Sequence, residues 1–204
     1  MNWQELSALL LFCTAMSFSP GPNTTLSTAL AANLGLRRAL NFCLAVPTGW
    51  TLLMAGSGLG LGALVLGVPA LRWALKIAGV GYMLWLAWRV AGASQLAQVD
   101  ARRLDVTFWQ GVGLQFLNIK AWMLALTLTA GWVVNAGGQP AANPGERLAI
   151  ICALMVVFAF SSNFVYALAG SLLRQWLSEG KRLLWFNRAL AAVLVATAAW
   201  MLTV

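Results

Sequence analysis

The feature that most constrains this chain is a helix-breaking segment, Ser19-Pro20-Gly21-Pro22-Asn23, inside an apolar run that carries no charge between Glu5 and Arg37. A proline lacks a backbone N–H and clashes with the carbonyl one turn earlier, so the two prolines predict a break in the helix. Backbone groups freed inside a bilayer cost several kcal/mol unless they meet a cavity or neighbouring helices. Gly21 lies halfway between the flanking charges, which places the predicted break at the membrane midplane.

The composition indicates a membrane protein with several spans. Of the 204 residues, 61% are hydrophobic and only 9% are charged, whereas a soluble domain carries about 25% charged residues. The net charge of +8 comes from basic residues scattered among apolar segments, without the stripe that binds nucleic acid. The chain has no histidine, which excludes His-based triads and HExxH metal sites. We therefore predict no metal, no cofactor and no nucleic-acid partner.

The apolar segments predict an all-α fold, a single domain of residues 1–204 with six transmembrane helices. Each segment holds the 20 or so apolar residues that cross a bilayer, and the long first one accommodates its central break. The predicted spans are Leu6–Leu34, Ala39–Leu66, Pro69–Val90, Phe108–Val134, Arg147–Leu173 and Leu183–Leu202. The connections are short except for a polar loop, Ala91–Thr107.

The distribution of lysine and arginine predicts the orientation of these spans. Loops one, three and five hold nine basic residues, whereas the opposite side holds three, Arg72, Lys76 and Arg147. The side with more lysine and arginine faces the cytoplasm, so both termini are predicted to lie outside it. Seven tryptophans near the span ends are predicted interfacial anchors: Trp3, Trp73, Trp88, Trp109, Trp176, Trp185 and Trp200.

Three spans followed by three spans indicate an internal repeat. Lys76 and Trp88 in the third span have the same spacing as Arg188 and Trp200 in the sixth. Because each half has an odd number of spans, the halves would be inverted relative to each other. The sequence therefore predicts a 3+3 inverted repeat with a broken first helix.

Lys120 is the most unusual residue in the chain, because it lies halfway along span four, between Asp105 and Asn135. A lysine at the bilayer centre costs about 2.5–3.5 kcal/mol, so it is expected to face a cavity or a partner. It could receive a substrate carboxylate, or it could be a structural tether to the carbonyls freed by Pro20 and Pro22. The sequence leaves both alternatives open.

Other polar residues lie at the same depth in spans one, four and five. Asn23 is placed to cap the second half-helix, whose N-terminus favours an anionic group. With Lys120, the predicted substrate-binding residues are Asn23, Thr24, Gln115, Asn118, Ser162, Asn163 and Tyr166. The predicted hinge or gate consists of Pro20, Gly21 and Pro22.

No carboxylate lies inside a predicted span, and this leaves the question of proton coupling open. A proton-coupled carrier normally uses a buried acid. The candidates here are Lys120 itself, or Asp100 and Asp105 if their loop folds inward.

These motifs together resemble the LysE/RhtB family of bacterial amino-acid exporters over nearly the whole chain. The matching segments are Ser19–Asn23 with Gly35–Arg38, Gln115–Asn118 with Lys120–Trp122, Gly79–Trp88, and Phe186–Leu190. The family usually has proline between the Asn and Lys of span four, where this chain has Ile119. An aliphatic residue there, and Tyr166–Gly170, are similar to the branch that exports cysteine and O-acetylserine.

The resemblance implies an inner-membrane exporter of small, mostly neutral amino acids or derivatives that works by alternating access, and no enzyme. Its substrate would be bound at mid-depth, with Lys120 and the half-helix near Asn23 holding the carboxylate. Two other classes stay open, an integral-membrane enzyme acting on a lipid head group and a non-transporting scaffold subunit. Polar residues at mid-depth favour the carrier, since such enzymes place theirs near an interface. Faces of small residues such as Gly56–Gly67 allow packing in the bundle or a homo-oligomer.

Overall fold

The structure is a computed structural model that describes residues 1–93 and 104–203, and it confirms the all-α prediction. Most of the predicted polar loop, including Asp100, lies outside the described residues. The helices are α1 (Trp3–Phe18), α2 (Pro22–Leu34), α3 (Leu36–Gly56), α4 (Gly62–Gly67), α5 (Pro69–Ala91), α6 (Phe108–Leu117), α7 (Ile119–Leu128), α8 (Pro144–Leu177) and α9 (Arg182–Thr203). Two π-helical turns, Ser57–Leu61 and Thr129–Val134, and a short hairpin of β1 (Asn135–Ala136) and β2 (Gln139–Pro140) complete the described part.

By length and composition, the structure supports three or four of the six predicted spans. Among the described residues, Leu36–Gly67, Pro144–Leu177 and Arg182–Thr203 are long and apolar enough to cross a membrane. Phe108–Leu117 and Ile119–Val134 reach this standard only together, as a pair bent by 68°. The two halves of the first predicted span are only 16 and 13 residues long.

The predicted break in the first span is present. Helix α1 ends at Phe18, and α2 begins at Pro22, which is a favourable first helical residue because its missing N–H would have no partner there. The prediction that Asn23 caps α2 is wrong, because Gly21 occupies the N-cap position in extended conformation. The hydroxyl of Thr24 accepts the hydrogen bond from the Gly21 N–H (3.0 Å).

Span four is also broken, although it has no proline at the break. Asn118 adopts an extended conformation between α6 and α7 (φ −88°, ψ 98°). The carbonyl of Phe116 accepts a hydrogen bond from the indole N–H of Trp122 (2.8 Å), and the carbonyl of Gln115 accepts one from the Asn118 N–H (3.2 Å). These bonds replace helical ones, so the break needs no proline.

The helices form two cores on either side of the breaks. The first core joins α2, the start of α3, the end of α5, α6, the end of α8 and α9, and it is rich in alanine. The second core joins α1, the end of α3, α7 and the start of α8, and it is built on large side chains such as Trp50, Leu128 and Met155. The breaks therefore lie where two differently packed halves of the protein meet.

The helices of the first core approach each other very closely. Gly170 of α8 lies against the carbonyl of Thr28 in α2, and Gly49 of α3 lies against the carbonyl of Val112 in α6. Neither position has room for a Cβ atom. Helix α2 packs extensively along α8, and α6 along α3, whereas α1 and α7 pack much less on the same two helices.

Polar side chains tie the helix ends of the first core together. The amide of Asn187 in α9 donates to the Asn33 side chain of α2 (3.0 Å) and to the Ala93 carbonyl after α5 (2.7 Å). Asn187 is fully buried, and Asn33 is 5% exposed. These bonds fix three helices at one end of the bundle.

An ion pair joins the helix ends at the opposite side of the bundle. Arg147 in α8 contacts Glu5 in α1 (3.2 Å) and donates to the carbonyl of Trp132 (3.3 Å). The indole N–H of Trp132 donates in turn to the Glu5 carbonyl (3.3 Å). The backbone N–H of Asn2, together with Arg147, holds the pKa of the Glu5 carboxyl below its usual value, so the ion pair is formed at neutral pH.

The predicted anchors differ in burial from the tryptophans in the middle of the spans. All seven predicted anchors are on the outside of the bundle. In contrast, Trp50 and Trp122 are only 3% and 8% exposed. Large apolar side chains such as Leu11, Leu59 and Leu172 are also on the outside, which suits a surface that faces lipid.

Candidate functional site

A cavity of about 60 Å³ lies between the two breaks. Six of the predicted substrate-binding residues line it: Asn23, Thr24, Asn118, Lys120, Ser162 and Asn163. The predicted hinge contributes Gly21 and Pro22, whereas Pro20 is exposed and lies outside the lining. A water needs roughly 15 Å³ on this measure, so the cavity admits only a very small solute until the helices separate.

Lys120 spans the distance between the two breaks. Its ammonium group donates to the carbonyl (3.1 Å) and the hydroxyl (2.7 Å) of Ser19, and its stem lies over Gly21. A lysine has three N–H donors, so one donor is left for a ligand in the cavity. Among the described residues that line the cavity, Lys120 alone carries a charge.

The carbonyls that the prolines free have partners other than Lys120. The carbonyl of Met16 accepts a hydrogen bond from the Ser19 hydroxyl (2.9 Å), and the carbonyl of Phe18 accepts one from the Tyr166 hydroxyl (3.0 Å). The alternative in which Lys120 is a tether to these two carbonyls is therefore wrong. Lys120 does bind the broken segment, but at Ser19.

Asn23 and Gln115 form a reciprocal pair of amide hydrogen bonds across the two broken spans. The Asn23 amide donates to Gln115 (2.8 Å), and the Gln115 amide donates back (3.2 Å). Gln115 is fully buried behind Asn23 and does not line the cavity. The pair therefore fixes α2 against α6 on the wall of the cavity.

Helix α8 supplies the opposite wall. Asn163 accepts a hydrogen bond from the Ser27 hydroxyl (2.8 Å) and donates to the Ala159 carbonyl (2.8 Å). The hydroxyl of Ser162 donates to the same carbonyl (3.3 Å). Tyr166 lies one turn further along and bonds the break rather than the cavity.

Replacing Tyr166 by phenylalanine is expected to lower the thermal stability of the detergent-solubilised protein. The change leaves the Phe18 carbonyl without its partner, and an unsatisfied buried group costs about 1–3 kcal/mol. The matched control is Tyr82→Phe, since the Tyr82 hydroxyl makes no hydrogen bond within the described part of the chain. Equal melting temperatures for the two variants would show that the Tyr166 bond does not stabilise the break.

Three polar atoms around the cavity have no partner within the described residues. They are the indole N–H of Trp50, the side-chain carbonyl of Asn118 and the hydroxyl of Ser17. An unsatisfied buried polar group is costly, and a polar ligand bound in the cavity would satisfy these three atoms. Donors and acceptors of this kind are what an amino acid requires.

Trp50 and Ser17 line the cavity although the sequence does not predict them as site residues. The available signal was the position of Trp50, which lies near the middle of span two, far from the interfaces where the anchors are. Its burial confirms that it is no anchor. Ser17 had no such signal, because a lone serine in an apolar helix normally bonds its own backbone.

The chain is similar to known proteins over nearly its whole length. A family model described as LysE type translocator matches residues 14–203. The chain belongs to this family. A relative from Salmonella choleraesuis (strain SC-B67), named cysteine/O-acetylserine efflux protein, is 32% identical over 194 residues. Relatives with the same name are 30% identical in Klebsiella pneumoniae and 27% identical in Escherichia coli K12, and each comparison covers 93% of both chains. No solved structure matches this LysE-family chain.

Proposed function

We propose that this LysE-family translocator exports small, mostly neutral amino acids or their derivatives across the bacterial inner membrane. The observation that carries the proposal is the cavity between two broken helices, with Lys120 and three polar atoms around it that have no partner in the described part of the chain. The relatives' name, cysteine/O-acetylserine efflux protein, supports a small polar substrate of that kind.

The proposed topology has six spans, with both termini outside the cytoplasm. Helices α1 and α2 together form the first span, which passes the midplane at its three-residue break. Helix α5 is 23 residues long and carries Arg72 and Lys76 near one end and Arg89 near the other, where long side chains reach the interface. The packing of α3 on α8 and of α5 on α9 supports the proposed 3+3 inverted repeat.

The proposed site holds an amino acid by its charged groups. Lys120 and the N-terminus of α2 take the carboxylate, because both carry positive charge. The side-chain carbonyl oxygen of Asn118 is an acceptor for the ammonium group of the amino acid. Ser162 and Asn163 contribute polar contacts from α8, and Trp50 donates to a polar atom of the substrate side chain. Gln115 and Tyr166 act as positioning residues that hold the breaks in place.

Alternating access follows from the unequal packing of the two halves. The alanine-rich core on the predicted cytoplasmic side is closed by backbone contacts, whereas the other core is closed by large side chains and by the Glu5–Arg147 ion pair. Large side chains change rotamers more readily than packed backbones move. The outer half therefore opens first for release, and the segment Ser19–Gly21 is the hinge about which α1 moves.

The test is export from cells that overexpress the protein, followed by counterflow in proteoliposomes made from the purified protein. We expect the concentration of one or a few neutral amino acids or their O-acyl derivatives to rise in the medium. We expect the proteoliposomes to show counterflow of the same compounds. If correctly inserted protein moves none of the amino acids tested, the proposed function is wrong.

Trp50→Phe is expected to change substrate choice more than overall export. The variant keeps the aromatic ring but removes the N–H, so substrates whose side chain accepts a hydrogen bond should lose about tenfold relative to alanine. The control is Trp109→Phe, since Trp109 is exposed and does not line the cavity. Competition assays in proteoliposomes measure both. An unchanged substrate order in Trp50→Phe would remove this residue from the site.

A further inference from the structure

A second and larger cavity lies on the opposite face of α7 from the proposed substrate site. It is a groove of about 490 Å³ between α4, α5 and α7. Lys120, Ala121 and Leu124 of α7 face the substrate cavity, whereas Trp122, Met123 and Leu126 line the groove. The half-helix that carries the lysine is therefore shared by two cavities.

One end of the groove is positively charged. Arg72 and Lys76 lie one turn apart on α5 and both line it. Within residues 1–93 and 104–203, the ion pairs are Arg147–Glu5 and Arg182–Glu179, so neither cation of the groove has a carboxylate partner there. The ammonium group of Lys76 lies over the ring of Trp73, 5.2 Å from its centroid. This end can receive an anionic group.

The rest of the groove is apolar and extends over about two thirds of the depth of one leaflet. Its floor follows α7 from Ile119 at the break to Leu126, about 10 Å at 1.5 Å per residue. Half of a bilayer's hydrocarbon core is about 15 Å deep. Leu66 and Met123, at 55% and 37% exposure, leave the groove accessible from the side of the bundle.

From this combination we infer that the groove is a binding site for an anionic phospholipid. The phosphate lies against Arg72 and Lys76, and one acyl chain lies along Trp122, Met123 and Leu126. A soluble anion would use the charged end alone and leave the apolar wall empty, so a lipid fits the whole groove better. The position of the groove within one leaflet of the membrane rests on the six-span topology proposed above.

A lipid in this groove also acts on transport, because it packs against α7. Helix α7 belongs to the same core as α1, so we expect it to move with α1 when the outer half opens and to carry the Lys120 side chain with it. An occupant on the outer face of α7 restrains this motion. The rate of export therefore depends on anionic lipid, and this dependence is removed when the groove loses its cations.

The experiment measures lipid binding on purified full-length protein by native mass spectrometry. The probes are phosphatidylglycerol, phosphatidylcholine and inorganic phosphate. Lys76→Gln is expected to weaken phosphatidylglycerol binding about fivefold, and Arg72→Gln with Lys76→Gln about 25-fold. The matched control is Arg188→Gln. The Arg188 guanidinium lies 5.2 Å from the ring centroid of Trp185, the same distance as between Lys76 and Trp73, and Arg188 does not line the groove. This control should bind as the wild type does.

A second variant, Met123→Trp, fills the apolar part without changing charge and is expected to reduce binding as well. Removing Arg72 and Lys76 strengthens the cytoplasmic excess of basic residues, so insertion of the double variant keeps its orientation. Equal binding of phosphatidylglycerol and phosphatidylcholine, or displacement of phosphatidylglycerol by inorganic phosphate, would overturn the proposal. The proposal would also be overturned if phosphatidylglycerol binding were unchanged both in the double variant of Arg72 and Lys76 and in Met123→Trp. Binding is measured without transport, so its outcome is independent of whether the protein exports amino acids.

Discussion

Lys120→Ala is expected to reduce amino-acid export about 100-fold at unchanged protein level. The variant removes the charged residue of the cavity lining and both hydrogen bonds to Ser19. Loss of one partner from a buried charged contact costs about 2–5 kcal/mol, which corresponds to a factor of 30 or more. The proposed carboxylate would then have only the N-terminus of α2 as its partner.

A control variant shows whether the loss of any cation reduces export, and a stability measurement shows whether the fold is lost. Lys181→Ala removes an exposed cation from the turn before α9 and should export normally. Counterflow in proteoliposomes, with the melting temperature of each purified variant, gives activity and stability side by side. Full export by Lys120→Ala at wild-type abundance would contradict the role proposed for this residue.

Gly170→Ala is expected to reduce export more than tenfold by preventing closure of the alanine-rich core. A methyl group at this position meets the backbone of Thr28, and a backbone yields far less than a side chain. The matched control is Gly81→Ala, a helical glycine with open space around it. Since both changes favour the helix equally, any difference between them reports the contact with α2.

The chain's own cysteines measure which half opens. Cys43 is fully buried in the alanine-rich core, and Cys13 is fully buried in the other core. In a Cys152→Ala background, Gly170→Ala should speed maleimide labelling of Cys43 and leave Cys13 protected. Slow labelling of both thiols together with normal export would show that the close approach of α2 and α8 is not needed for transport.

Much of the site could be predicted from the sequence because the bilayer limits what its residues can do. A lysine or a pair of prolines in the middle of an apolar span has few tolerable surroundings, so Pro22, Lys120 and Asn118 could be assigned to a central cavity before any coordinates. The same argument could not find the partner of each group. Gln115 and Tyr166 have the right depth, yet they bond Asn23 and the Phe18 carbonyl rather than line the cavity.

The sequence by itself determined the all-α class, the break in the first span and six of the polar residues that line the cavity, because these depend on local chain chemistry and on what an apolar span tolerates. Only the tertiary structure decided that span four breaks without a proline, since the Trp122 indole supplies the replacement hydrogen bond. It also decided that the Trp50 N–H beside the cavity has no partner among residues 1–93 and 104–203, and that α7 separates two cavities. These features depend on how helices far apart in sequence face each other, which no local pattern of residues records.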